Sequence, residues 1–151
     1  MGLLERGEKG KKASRVKAAV IHSIKRADMH KEVRARVEPG SELMTDALAS
    51  YRGLEEEYVH QVIDHAEAYV HGNVHTNGIE NFWSLLKRGI KGTYVSVEPF
   101  HLFRYLDEQA FRFNERGITD SERFTQVVAA VAGRRLTYQE LTGKTLEPSK
   151  A

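Results

Sequence analysis

The sequence predicts an α/β or α+β domain, and three observations predict it. Short apolar segments with strand character fall in the first 63 residues. Apolar residues at helical spacing dominate from Asn77 onward. Turn formers and capping residues sit between the segments, at Pro39-Gly40, Gly53, Gly72, Gly78 and Thr119-Asp120-Ser121-Glu122. The resulting order is strand, strand, helix, strand, strand, then helices, with less strand than a complete sheet of this type needs.

The elements follow in order. Gly2 to Arg6 and the Val-, Ile- and Ala-rich run Val16 to Ile24 read as two strands of a hairpin, joined by the polar stretch Glu8 to Ser14. Asp28 to Val37 has helical character and stops before Pro39-Gly40. Glu42 to Thr45 is a short strand ending at Asp46, and Ala47 to Arg52 is a helical turn or short helix closed by Gly53. Tyr58 to Ile63 alternates as a further strand, and His71 to Gly78 is a loop. The next helix starts near Asn77, with Ile79, Phe82, Trp83, Leu86 and Ile90 as its buried stripe. Pro99 opens another at its first position, running to about Asn114 with Phe103, Leu106, Ala110 and Phe113 on one face. Thr119 and Glu122 form a capping box before a helix that ends near Gly133. From Leu136 the sequence reads as a helical turn and a loose tail.

Composition narrows the function classes. A chain of 151 residues with 40% hydrophobic and 29% charged residues suits one soluble domain. No apolar run approaches a membrane span, and the first residues are too short and charged for a signal peptide. With no cysteine, disulfides and cysteine zinc sites are excluded, and a cytoplasmic location is expected. Net charge is only +2, but cations cluster at Lys9 to Lys17, at Lys87, Arg88 and Lys91, and at Arg134 and Arg135. Phosphate binding needs such a local patch rather than a large total. For the first cluster a solvated face is the simpler reading.

The candidate site centres on the Asn77 helix, where Glu80, Ser84, Lys87 and Lys91 share a face. A carboxylate on a rigid helix with lysine two turns on suits joint binding of a divalent metal and a nucleic-acid phosphate. Asp46, at a strand end, is a second acid placed where α/β folds put site chemistry. Both acids have structural readings. Asp46 can cap the turn that follows, and Asn77-x-x-Glu80 resembles a capping box. His60, His65, His71 and His75, with Asp64, offer a competing zinc site. The spacing of His60 and His65 argues against it by aiming them to opposite faces of a strand. There is no nucleophile elbow and no phosphate-binding glycine loop. The aromatics at 100, 103, 105, 111 and 113 suit a core better than a base-stacking platform.

The run His75-Thr76-Asn77-Gly78-Ile79-Glu80-Asn81-Phe82-Trp83-Ser84-Leu85-Leu86-Lys87-Arg88-Gly89, with Phe100 to Arg116 behind it, closely resembles the ISXO-type insertion-sequence transposases of the DDE class. The segment from Val37 through Asp46 to Tyr51 is similar to that family's second-aspartate region. The resemblance covers Met1 to about Gly143. It implies an RNase-H-like mixed α/β sheet flanked by helices, with residues 1–116 a partial catalytic domain and 117–151 a C-terminal helix and tail.

The resemblance also implies roles. Asp46 and Glu80 would be catalytic metal ligands, with Mg2+ or Mn2+ as cofactor. Lys87 would hold DNA near the scissile phosphate, with Arg88 and Lys91 beside it, and Asn77 and His75 would lie just behind the ligands. Transposon-end and target DNA would be the partners, with cleavage followed by attack of the 3′-hydroxyl. A homo-oligomer in the full-length form, no membrane contact and a bacterial, nucleoid-associated location are implied too. The family's first aspartate and its leading strand have no match here. Glu5, Glu8, Asp28, Glu32, Glu38 and Glu42, the acids before Asp46, stand in other contexts. The chain alone is therefore expected to be an N-terminally truncated, inactive form. The alternative is a non-catalytic DNA-binding or multimerising remnant.

Overall fold

The computed structural model describes residues 1–8, 10, 13–63 and 76–143. Strand β1 (Gly2–Glu5) pairs antiparallel with β2 (Arg15–Ala18), with Leu4 opposite Val16. Met1 extends the ladder by exchanging both backbone bonds with Ala19. The predicted strand to Ile24 is shorter than expected, and Val20 and Ile24 lie past the ladder, exposed. Helix α1 (Arg26–Arg34) follows. Strand β3 (Glu42–Asp46) then pairs in parallel with β4 (Val59–Ile63). Helices α2 (Asn77–Arg88), α3 (Leu102–Asn114), α4 (Asp120–Val131) and α5 (Tyr138–Thr142) complete the order.

Among the described residues, the four strands do not form the single mixed sheet that the resemblance implied. They make two separate two-stranded sheets, one antiparallel and one parallel. Each has its own apolar cluster. Val33 of α1 packs with Leu43 of β3 and with Leu54 and Tyr58 of the segment that leads into β4, with Val37 and Tyr51 at the margin. Val16, Phe82 and Phe113 form the second cluster, joining β2 to α2 and α3, with Leu4, Ala18, Ile79 and Trp83 against it. Phe82 is fully buried and meets Phe113 edge-on, ring centres 5.7 Å apart. The first turn of α2 lies so close to β1 that a Cβ on Gly78 would sit 2.9 Å from Leu4 Cδ1.

Asn114, at the end of α3, closes the outer edge of β2. Its Oδ1 accepts the Val16 N–H at 2.7 Å and its Nδ2 donates to the Val16 carbonyl at 2.9 Å. This side-chain amide does what a neighbouring strand would do, and so satisfies a buried backbone pair. It also sets the parity of the hairpin. Val16 spends its polar groups outward, so Leu4 opposite it is a non-hydrogen-bonded pair, and the ladder bonds belong to Leu3 and Glu5. The N–H and C=O of Gly2 and Leu4 therefore point away from β2. In the parallel pair, Val59 N–H donates to the Ser41 carbonyl at 3.0 Å. Ser41, Leu43 and Thr45 thus face β4, while the backbone groups of Glu42 and Met44 face away. These two outward rows border one groove of about 840 Å3, lined by Gly2 to Gly7 on one side and Ser41 to Met44 on the other.

The helices mostly match their sequence signals. α4 carries the predicted capping box, with Thr119 Oγ1 accepting from Glu122 N–H and the Glu122 carboxylate accepting from Thr119 N–H. Its apolar positions Phe124, Val127, Val128 and Val131 are exposed. Of the predicted aromatic core, Phe113 is buried, but Phe100 and Phe103 are exposed because they lie on the outer side of the 3-10 turn (Pro99–His101) and of α3.

The Asn114 clamp yields a direct test. Asn114→Ala leaves the buried Val16 amide and carbonyl without partners and should cost about 1–3 kcal/mol. Asn114→Asp keeps the acceptor and loses the donor, so its urea midpoint should fall between Ala and wild type. Phe82→Ala should cost about 3–5 kcal/mol in the same denaturation series.

Candidate nucleic-acid interface

The site is built on α2. With Phe82 and Leu86 turned inward, a rotation of about 100° per residue carries positions 80, 84, 87 and 91 to the opposite face. Glu80, Trp83, Ser84, Lys87, Arg88, Lys91 and Gly92 line one open surface groove of about 670 Å3. Four predicted site residues, Glu80, Lys87, Arg88 and Lys91, therefore come together as expected. Ser84 and Trp83 join them. Ser84 was legible from its spacing, whereas Trp83 was assigned wholly to the core. It is half-buried, packed edge-on against Phe82 at 5.1 Å on one side and bordering the groove on the other.

The expected capping box at Asn77 is corrected. The helix begins at Asn77, and Thr76 occupies the cap position. Glu80 then stands one residue beyond the place from which a box glutamate reaches back. Its carboxylate instead accepts from the Thr76 hydroxyl. It stays in the first turn, where the positive end of the helix favours an anion.

Beyond Arg88 the helix widens into a π turn (Gly89–Tyr94), which carries Lys91. Such turns are uncommon and concentrate at functional sites. The turn ends at Val95, whose φ of 62° is a left-handed conformation unusual for a β-branched residue. Tyr94 anchors the turn to α3. Its hydroxyl donates to Glu108 Oε2 at 2.7 Å, and its ring meets Tyr105 at 4.6 Å. Arg112 Nε in turn donates to Glu108 Oε1 at 3.0 Å. The hydrogen bond to the Glu108 carboxylate, aided by desolvation and the same negative charge, holds the Tyr94 hydroxyl above the ordinary tyrosine range.

Asp46 ends β3, as expected, and is exposed. Its Oδ1 accepts from the Leu48 N–H at 3.3 Å, so it shapes the following turn as its structural reading required. Nearby, Tyr51 is held above its usual range by burial first and by the Asp46 charge second. Thr45 Oγ1 and His60 Nε2 lie 2.9 Å apart beneath this strand end. Asp46 and Asn77 do not line the α2 groove. His75, with His65, His71 and Asp64 of the competing zinc reading, lies outside the described residues. Among the described residues, no group of three or more His, Asp or Glu side chains is placed to hold a metal. No helix among them is long and apolar enough to cross a membrane.

No curated protein and no solved structure matches the chain. A family model described as the ISXO2-like transposase domain matches residues 1–114, three quarters of the sequence and every residue of the α2 groove. The chain belongs to the ISXO2-like transposase domain family, of the DDE insertion-sequence class.

Proposed function

We propose that this chain is the DNA-binding part of an insertion-sequence transposase catalytic domain, spanning residues 1–116, with 117–151 as a C-terminal helix and tail. One observation carries the reading. Glu80 lies in the same open groove as Lys87, Arg88 and Lys91. A phosphodiester backbone needs cations spaced along a rigid element, and α2 with its π turn presents three over five residues. Lys87 and Lys91 act as point charges on phosphates, and Arg88 adds a planar fork for a second phosphate oxygen. Ser84 adds a neutral hydroxyl between Glu80 and Lys87. The half-buried Trp83 gives that groove an apolar wall beside its cations.

In this reading Asp46 and Glu80 are two of the acids that hold Mg2+ or Mn2+ in the family's chemistry, with Asn77 and His75 as supporting residues. Carboxylate oxygens are the right kind of donor for these ions. The described residues do not fit the ions by themselves, since no cluster of three such ligands forms. We therefore assign phosphodiester cleavage and 3′-hydroxyl transfer to a completed RNase-H-like domain, and binding alone to the chain as it stands. The separation of the β1–β2 and β3–β4 sheets supports the same division. A non-catalytic, multimerising remnant is the second reading, favoured by the exposed apolar stripe of α4.

Binding is tested with a fluorescent duplex carrying the element's terminal repeat. Lys87→Ala with Lys91→Ala should weaken association and lower the salt slope by about two, one for each lost phosphate contact. Unchanged affinity and slope would remove the α2 groove from the interface.

Cleavage is tested in Mg2+ and Mn2+. The 151-residue chain should bind without nicking. A protein extended through an acid-bearing leading strand should nick, and Asp46→Asn or Glu80→Gln in it should lose more than the roughly 10- to 100-fold that outer partners of a metal cost. An extended protein that binds DNA and never nicks would favour the remnant.

A further inference from the structure

We propose that α4 is a self-association surface, on which the α4 helix of a second copy of this chain docks antiparallel. The helix stands clear of the domain. None of its twelve residues is buried, and all but Arg123 are exposed. Arg123 ties it back, donating from Nη1 to the Glu115 carbonyl at 3.1 Å. Phe124, Val127, Val128 and Val131 recur at i, i+3, i+4 and i+7 and so share one face. They are 70, 44, 49 and 57% exposed. A helix this short is marginal in water even when rich in alanine. This one carries four β-branched residues, Thr125, Val127, Val128 and Val131, which weaken it further. The capping box holds only the first turn. Such a helix draws its stability from packing of its apolar face.

Two observations identify the partner as a second copy. The stripe is symmetric about the point between Val127 and Val128. Antiparallel pairing across a two-fold axis there sets Phe124 against the partner's Val131, and Val127 against the partner's Val128. Charge agrees with that register. Asp120 and Glu122 open the helix, and Arg134 and Arg135 follow its end. The Arg134 N–H bonds back to the Val131 carbonyl at 3.0 Å, which keeps the arginines at the helix end. The same axis brings Asp120 to the partner's Arg135 at both ends, with the two helix dipoles opposed. The Asp120 carboxylate pairs with Arg123 yet is 95% exposed, open to a second cation. A parallel pair would set acid on acid and arginine on arginine. The chain's own tail does not suit the face, since Leu146 is the single large apolar residue in 144–151. Two helices about 18 Å long bury less than the roughly 1,200 Å2 of a standard interface, which places association in the micromolar range. The inference gives the multimerising reading its surface and is independent of DNA binding in the α2 groove.

The test is sedimentation equilibrium of the full 151-residue protein. A reversible monomer–dimer equilibrium is expected, with a Kd of about 10–100 µM. Val127→Asp with Val128→Asp sets carboxylates face to face on the axis and should weaken it at least about tenfold. The fluorescence of Trp83, the chain's single tryptophan, packed on Phe82, reports whether that variant keeps its core. Asp120→Arg and Arg135→Asp should each weaken self-association, because like charges then meet at both ends. An equimolar mixture of these two variants restores both pairs, so the mixed dimer should form about tenfold more readily than either variant's own dimer at low salt. A mixture that associates no better than its components would overturn the proposal. Wild-type protein that stays monomeric at about 300 µM would overturn it together with the multimerising reading. A dimer untouched by Val127→Asp with Val128→Asp would overturn this interface and leave the multimerising reading standing. If that double variant does not fold, the mixture of charge variants still decides.

Discussion

The burial of Phe82 between Val16 and Phe113 is the contact on which the rest of the arrangement depends. It fixes the rotation of α2 about its own axis. Once Phe82 and Leu86 face inward, Glu80, Ser84, Lys87 and Lys91 have no choice but to face out. The same contact draws α3 to β2, where Asn114 clamps the strand edge through both polar groups of Val16. Packing and chemistry are therefore coupled through one ring, since a helix free to roll would scatter the charged groove.

That coupling explains why the site was readable before the fold. An apolar stripe with period 3.6 is a local signal, and the face opposite it follows by arithmetic. Glu80, Lys87, Arg88 and Lys91 could thus be grouped from spacing, and the end of β3 at Asp46 and the Thr119 capping box were equally local. Other features depend on partners distant in sequence. Nothing near Asn114 announces that its amide will replace a strand beside Val16, 98 residues away. The two-sided placement of Trp83 needs the groove as well as the core. The cap at Thr76 rather than Asn77 shifts by one residue, the scale on which side-chain capping signals compete. A single mixed sheet was expected from strand order and resemblance, but whether strands join depends on what lies between their edges.

The electrostatics of the groove follow from its exposure. Glu80, Lys87, Arg88 and Lys91 share it, and all four are exposed. In open solvent such charges interact weakly and are screened within about 8–10 Å. The cations therefore remain available to a polyanion and gain by releasing its counterions. The π turn matters because it carries Lys91 past the end of regular helix while Tyr94, bonded to Glu108, ties the turn to α3. The strained Val95 sits just beyond that anchor, where the packed turn over-determines a backbone that an isolated segment would avoid.

The division of the core bears on how the domain becomes complete. A two-stranded sheet is marginal in water unless something packs on it. Here each sheet is held by its own helices, α1 for one and α2 with α3 for the other. Each is adequate locally, but the outward backbone rows of β1 and β3 are left facing a groove.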